Sequence, residues 1–163
     1  NEVMYRKDLT EDELLAFLYQ VKEAIPDTPV GYVDAYYEFA ARPRITEACD
    51  VILANCYPFW EGCHIDYALP YMKNMYYQAK EAAQGKPVII TETGWPSAGS
   101  ALYGAEPSEE NFMKYFINAQ KWSAEDDIEM FYFSSFDEAW KVGAEGDVGA
   151  YWGIWDKNEE LKF

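Results

Sequence analysis

The sequence is short of basic residues, and this shortage excludes two classes of partner. Thirteen Lys and Arg residues stand against 29 Asp and Glu residues, which gives a formal net charge of −16. Such an acidic chain repels the phosphates of nucleic acids and the anionic headgroups of membranes. No apolar run in it approaches the roughly 20 residues that a membrane-spanning helix needs. We therefore expect no nucleic-acid partner and no membrane insertion.

Cysteine and histidine are also scarce. Cys49, Cys56 and Cys63 are spaced seven apart, and the single histidine, His64, follows the last of them. An odd number of cysteines argues against a disulfide framework. A metal site is the alternative, but the spacing matches no common ligand pattern and Cys56 lies in an apolar run. We expect reduced or buried cysteines and no metal.

Apolar and aromatic residues, in contrast, are plentiful. Half of the 163 residues are hydrophobic and 18% are aromatic. This content is enough for an ordered core, and the length corresponds to one domain or to part of a larger one.

Strand-like apolar runs alternate along the chain with helical patterns. Helices are predicted after a capping box at Thr10 and Glu13, from Asp66 to Gln84, and after a cap at Ser108. Four nearly all-apolar strands are predicted near residues 30, 51, 88 and 128, with a short link, RPRITEACD, before the second. The last of them is predicted to cover IEMFYFSSF. Continuous apolar strands are typical of parallel sheets covered on both faces. The pattern therefore predicts an α/β fold with a parallel sheet.

The first helix also carries a predicted buried face. Its apolar residues recur at helical spacing and are expected to face the core together. They are Leu14, Leu15, Phe17, Leu18, Val21 and Ile25.

The carboxyl ends of the predicted strands carry most of the chemistry. They read DAYYEF, NCYPFWEG, TETGWPSAG and SSFDEAWK, and three of the six tryptophans, Trp60, Trp95 and Trp140, fall there. Ligands of parallel α/β folds bind at this edge of the sheet. We therefore expect the functional site among these segments.

Glu92 is the main candidate for a catalytic group, because a carboxylate at the end of an apolar strand is costly to bury without a purpose or a partner. A structural ion pair with a lysine is the alternative. Trp95 offers a flat face for a sugar ring, and Tyr57 could hydrogen-bond to the Glu92 carboxylate. Glycoside cleavage needs a second carboxylate, which the spacing leaves open. The options are Glu2, Asp34, Glu38, Asp137 and Glu138.

The sequence resembles glycoside hydrolase family 17, the β-1,3-glucanases, over essentially its whole length. The resemblance rests on NEVMYR, VILANCYPFWEG, PVIITETGWPSAG and the segment from FYFSSFDEAWK to the last residue. It implies a retaining (β/α)8 barrel with Glu2 as acid/base and Glu92 as nucleophile, their carboxyl groups about 5–5.5 Å apart. Ser134 and Ser135 depart from the family pattern, which has an acid and a small residue there.

The resemblance also implies roles for other residues. Asn1 is expected to hold the sugar 2-hydroxyl, and Tyr57 to orient Glu92. Substrate-binding roles fall on Glu138 and Lys141 and, as sugar platforms, on Trp95 and Trp140. Apart from the resemblance, Trp60, Trp152 and Trp155 are expected to be core or wall residues, since tryptophans are usually highly buried. No cofactor is implied, since both reacting groups are carboxylates.

Counting strands against the family barrel assigns the four predicted strands to barrel strands five to eight. The expectation is that residues 1–163 form one incomplete domain, the C-terminal half of a barrel that takes about 250 residues. Such a half would pair with an N-terminal half-barrel or with itself. The expected function is hydrolysis of β-1,3-glucan; glycosyl transfer and an inactive glucan-binding half-barrel are the alternatives. The family resemblance points to a secreted or periplasmic location.

Overall fold

The computed structural model describes residues 1–143 and 145–163. Five α-helices and four strands alternate along this part of the chain, followed by a short 3₁₀ helix at Asp147–Ala150. The helices are α1 Glu11–Ala24, α2 Glu38–Ala41, α3 Pro43–Ala48, α4 Ile65–Ala82 and α5 Glu109–Glu125. The strands are β1 Gly31–Ala35, β2 Val51–Asn55, β3 Val88–Thr93 and β4 Met130–Tyr132.

The chain divides into two compact units. Unit 1 contains Asn1–Cys56 and Lys73–Thr91, and unit 2 contains Tyr57–Met72 and Glu92–Phe163. In unit 1, β1 pairs in parallel with β2, in a register that runs from Gly31 opposite Val51 to Ala35 opposite Asn55. Strand β2 lies between β1 and β3. The α/β fold with a parallel sheet is therefore confirmed.

Helix α1 begins as predicted but buries less of its apolar face. The Thr10 side chain and Glu13 form the full capping box, and Leu14, Leu15 and Leu18 are buried. The other three predicted core residues of this helix, Phe17, Val21 and Ile25, are exposed. Within unit 1, α1 packs mainly against the short helix α3.

The predicted link before β2 is wrong, because most of it is helical. Residues 38–41 form α2 and residues 43–48 form α3, with Pro43 in the first turn of α3. Proline suits this position, since its fixed φ matches a helix and its missing N–H has no intrahelical partner there. Ile45 and Ala48 of α3 are buried.

The later elements follow the predictions more closely. Helix α5 is capped by Ser108, whose side chain accepts a hydrogen bond from the Asn111 amide. Apolar residues at helical spacing along α4 and just past its end are buried, except that Leu69 is only half-buried. They are Met72, Met75, Tyr76, Ala79 and Ala83.

Strand β4 is shorter than the nine residues predicted. Beyond Phe133 the backbone pairs with the C-terminal segment: Ser134 N–H donates to the Trp152 carbonyl, and Trp155 N–H donates to the Ser135 carbonyl, both at 2.9 Å. The two serines that depart from the family pattern thus lie where the chain leaves the regular strand.

Gly94 marks a close backbone approach in unit 2. The Phe133 amide donates to the Thr93 carbonyl at 2.8 Å. A Cβ atom at Gly94 would lie 2.1 Å from the Phe133 carbonyl oxygen. Only glycine allows this contact, which explains why it directly follows the TET sequence at the end of β3.

Candidate active site

The Glu92 carboxylate lies at the carboxyl end of β3, in unit 2, and Tyr57 is one of its partners. The Tyr57 hydroxyl donates a hydrogen bond of 2.9 Å to Glu92 Oε2. Tyr57 follows the end of β2 by two residues, so neighbouring strand ends carry the two side chains. The structure brings these two predicted site residues together.

Aromatic rings hold Tyr57 in place. Its ring makes edge-to-face contacts with Trp152, at 5.5 Å between centroids, and with Phe133, at 6.4 Å. Trp152 is almost completely buried, as expected for a core tryptophan. Edge-to-face packing fixes the direction of the Tyr57 ring and therefore of its hydroxyl.

Glu2 lies in unit 1, in a turn that precedes α1. Its backbone has φ +58°, in the left-handed region that non-glycine residues seldom adopt. The Glu2 amide donates to the Val33 carbonyl at 2.9 Å, which ties the turn to β1. An Arg6 nitrogen lies 3.8 Å from Glu2 Oε2. Uncommon backbone angles of this kind cluster at functional sites.

The Asn55 side chain joins Asn1 and Glu2. Its Nδ2 donates to Glu2 Oε1 at 2.9 Å and to Asn1 Oδ1 at 3.1 Å. Its Oδ1 accepts a 2.9 Å hydrogen bond from the Thr91 hydroxyl. Sequence reasoning missed both Asn55 and Thr91. The signal that could have indicated them is their position at or near the carboxyl ends of β2 and β3.

Asp34, a candidate for the second carboxylate, has a structural role. It is fully buried, and its Oδ2 accepts hydrogen bonds from the amides of Met4 and Tyr5 at 3.1 and 3.3 Å and from the Tyr32 hydroxyl. Burial, followed by the hydrogen bond to Asp34, raises the pKa of Tyr32 well above its usual value. Asp34 therefore fixes the turn that carries Glu2.

Two other candidates are engaged in ion pairs. Glu38 pairs with Arg42 one helical turn later, and burial raises the pKa of the Glu38 carboxyl despite the attraction of the arginine. Asp137 Oδ1 lies 2.7 Å from Lys162 Nζ, with both side chains less than 10% exposed. The environment of Asp137 is therefore that of a structural ion pair.

Glu138, Trp140 and Lys141 lie together in the segment after β4. Lys141 Nζ is 3.5 Å from Glu138 Oε2 and 3.2 Å from Glu145 Oε1, and it lies 4.2 Å from the centre of the Phe133 ring. Trp140 is 74% exposed. An exposed indole beside charged hydrogen-bonding groups has the chemical make-up of a sugar-binding surface.

The burial of Trp95 contradicts the prediction that this residue is a sugar platform. It is completely buried, its Nε1 donates to the Glu106 carbonyl at 3.0 Å, and its ring packs edge-on against Phe59. A stacking platform needs an exposed face, whereas Trp95 serves as a core residue. The sequence motif shows that Trp95 follows the end of β3, but it does not show whether the indole is buried or exposed. The prediction of a sugar platform was therefore wrong.

Within residues 1–143 and 145–163, the His, Cys, Asp and Glu side chains form no candidate metal centre. No group of three or more His, Cys, Asp or Glu residues there has an arrangement suited to a metal ion. All three cysteines are free thiols, and burial raises the pKa of each. In the same described ranges, none of the helices combines the length and apolarity needed to cross a bilayer.

The family model of the BtgE/BtgC glycoside hydrolase domain matches residues 1–153. The chain belongs to this family. A glucan 1,3-beta-glucosidase from Candida albicans, BGL2, is 29% identical to this BtgE/BtgC-type chain, over 100% of the chain and 60% of the relative. The chain thus spans about three fifths of the length of this curated relative.

Solved structures agree with this assignment. The glycoside hydrolase family 17 β-1,3-glucanosyltransferase from Rhizomucor miehei superposes with a TM-score of 0.91 at 34% identity, over 99% of this chain and 59% of that one. An active-site mutant of the same enzyme in complex with laminaritriose gives a TM-score of 0.90. The resemblance to family 17 is confirmed.

Proposed function

We propose that this BtgE/BtgC-type chain carries the two catalytic carboxylates of a retaining enzyme that cleaves β-1,3-glucosidic bonds. The observation that supports it most is the hydrogen bond from Tyr57 to Glu92 at the carboxyl end of β3. A nucleophilic carboxylate needs one fixed orientation, and a hydrogen bond from the Tyr57 phenol to one of its oxygens helps to provide it. The names of the family and of the relatives support the substrate class.

In the proposed mechanism Glu92 attacks the anomeric carbon and the glycosidic C–O bond breaks. Glu2 donates its proton to the departing oxygen, so that a covalent glycosyl-enzyme and a free sugar hydroxyl are formed. Glu2, now a carboxylate, takes a proton from an incoming water as that water attacks the anomeric carbon, and this step releases Glu92. Asn1 holds the sugar 2-hydroxyl.

Substrate binding is proposed for the segment after β4. The exposed face of Trp140 stacks on the apolar face of a glucose ring. Glu138 and Lys141 form hydrogen bonds to sugar hydroxyls, and their ion pair, 3.5 Å between Lys141 Nζ and Glu138 Oε2, keeps the two charged groups together. Trp95 has no part in this proposal.

For the fold, we propose that β1 to β4 correspond to strands five to eight of a (β/α)8 barrel, and that residues 1–163 are the C-terminal half of one catalytic domain. The alternation of helices and parallel strands supports this, as does coverage of 59% of the Rhizomucor enzyme. An N-terminal half-barrel, or a second copy of the chain, is the proposed partner.

Glycosyl transfer is a second proposed function. The Rhizomucor enzyme, at 34% identity, is named a glucanosyltransferase. Both reactions share the glycosyl-enzyme and differ in the acceptor that releases it, which is water or a sugar hydroxyl. Product analysis on laminari-oligosaccharides separates them, because only transfer yields products longer than the substrate.

The test of the proposal is to trap the intermediate. A laminaribioside with fluorine at C2 and a good leaving group should leave a glycosyl group on Glu92, detected by peptide mass spectrometry. Glu92→Gln should abolish both labelling and turnover of laminarin-type glucan. Labelling elsewhere would refute the assignment of the nucleophile, and binding without labelling or turnover would support the inactive glucan-binding alternative.

A further inference from the structure

The Asn55 carboxamide is held in one orientation by groups on opposite sides. The side chain is only 3% exposed. Its Nδ2 faces two oxygens, Glu2 Oε1 at 2.9 Å and Asn1 Oδ1 at 3.1 Å. Its Oδ1 faces the Thr91 hydroxyl at 2.9 Å. All four residues belong to unit 1.

The reverse orientation of this amide is unfavourable. A half-turn of the carboxamide would place Asn55 Oδ1 against the Glu2 carboxylate and against Asn1 Oδ1, so that acceptors would face acceptors. The Thr91 hydroxyl supplies the hydrogen-bond donor that the buried Oδ1 requires in the observed orientation. Without it, Oδ1 would be a buried acceptor lacking its partner. Neither orientation of the amide would then satisfy all of its polar atoms, so the amide would lose its single fixed position.

We propose that Thr91 is a positioning residue that acts on Glu2 through Asn55. The Thr91 hydroxyl fixes the Asn55 amide, and the amide N–H holds the Glu2 carboxyl group in the position from which it transfers its proton. This inference rests on the proposed function for the role of Glu2. It assigns a purpose to the threonine that immediately precedes Glu92 in the sequence.

The test compares substrates that differ in their need for a proton donor. An aryl β-laminaribioside with a 2,4-dinitrophenyl leaving group departs without protonation, whereas laminaritetraose requires it. In Thr91→Val, kcat/KM for laminaritetraose should fall about tenfold, the effect of losing one buried hydrogen bond. kcat/KM for the dinitrophenyl substrate should change less than twofold. An equal loss on both substrates would overturn the proposal.

Two matched variants control for position and folding. Thr91→Ser keeps the hydroxyl and should restore the wild-type ratio of the two kcat/KM values. Thr93→Val removes the hydroxyl of the residue that follows Glu92 in the sequence. This hydroxyl lies 3.3 Å from Met72 Sδ and 2.6 Å from the Tyr115 hydroxyl. It should leave the ratio unchanged, whatever its effect on stability. A changed ratio in Thr93→Val would show that the effect is not specific to Asn55.

An NMR measurement separates failure of this inference from failure of the proposed function. With ¹⁵N-asparagine labelling, the Asn55 amide protons should show nuclear Overhauser effects to the Glu2 side chain in the wild type and lose them in Thr91→Val. If the wild type turns over neither substrate but the NMR change occurs, the positioning contact stands and the proposed function fails. Unchanged Asn55 resonances in Thr91→Val would refute the inference.

Discussion

Breaking the ion pair between Asp137 and Lys162 should destabilise unit 2 strongly. The two side chains are 8% and 9% exposed. Lys162 Nζ also donates to Ser97 Oγ at 2.8 Å, and Asp137 Oδ1 also accepts from the Gly153 amide at 2.8 Å. Lys162→Met leaves a buried carboxylate without its cation. A loss of this kind costs about 3–5 kcal/mol.

For a chain of this length, each kcal/mol lowers the melting temperature by roughly 2–4 °C. Lys162→Met should therefore melt about 6–20 °C below the wild type. Asp137→Asn should do similar damage, because it leaves the ammonium group buried. The double variant should lose less than the sum of the two single losses, since their shared interaction is counted once. Circular dichroism melting and urea unfolding measure these differences.

A matched control is the ion pair of Lys121 and Glu125. Lys121 Nζ lies 3.8 Å from Glu125 Oε1, and the two side chains are 70% and 60% exposed. Lys121→Met should cost about 0.5 kcal/mol or less, because solvent screens such a pair. Additive losses in the Asp137 and Lys162 cycle would refute the reasoning. Complete loss of turnover in Asp137→Asn, at temperatures where the variant is folded, would instead make Asp137 catalytic.

Two further predictions concern other contacts. Tyr57→Phe should lower kcat roughly 10- to 100-fold, because Glu92 loses the group that orients it. The control is Tyr103→Phe, at an exposed site. An unchanged kcat in Tyr57→Phe would contradict the proposal that Tyr57 orients Glu92. The Lys22 ammonium group, 2.7 Å away, lowers the pKa of the Asp50 carboxyl below its usual value. This contact should stabilise the fold above about pH 4 and lose its effect as the pH falls through the lowered pKa. Carboxyl ¹³C titration by NMR should show the pKa of Asp50 rising in Lys22→Met, and an unchanged titration would exclude the ion pair as its cause.

Local signals in the sequence predicted the elements well, because those signals act over a few residues. The capping box at Thr10, the cap at Ser108 and the apolar strand segments each lie within one short stretch. Strand β4 was predicted too long because the pairing of Ser134 with Trp152 joins residues distant in sequence. A single sequence does not reveal such pairing.

The same limit applies to the candidate site. A carboxylate and a tyrosine at successive strand ends could be predicted to meet, and Tyr57 does bind Glu92. The link from Thr91 to Asn55 depends on the register between strands, which composition and spacing do not specify. The burial of Trp95 depends on Phe59 and the Glu106 carbonyl, which come from other parts of unit 2.

The unequal exposure of the tryptophans gives this protein two optical populations. Trp95, Trp122 and Trp152 are buried, whereas Trp140 is largely open to solvent. Buried indoles emit at shorter wavelength and are shielded from collisional quenchers such as iodide, and an open indole is not. The quenchable, red-shifted part of the fluorescence therefore comes from Trp140 together with the partly exposed Trp60 and Trp155. The unlabelled protein thus carries its own optical probe, with the buried indoles as an internal reference.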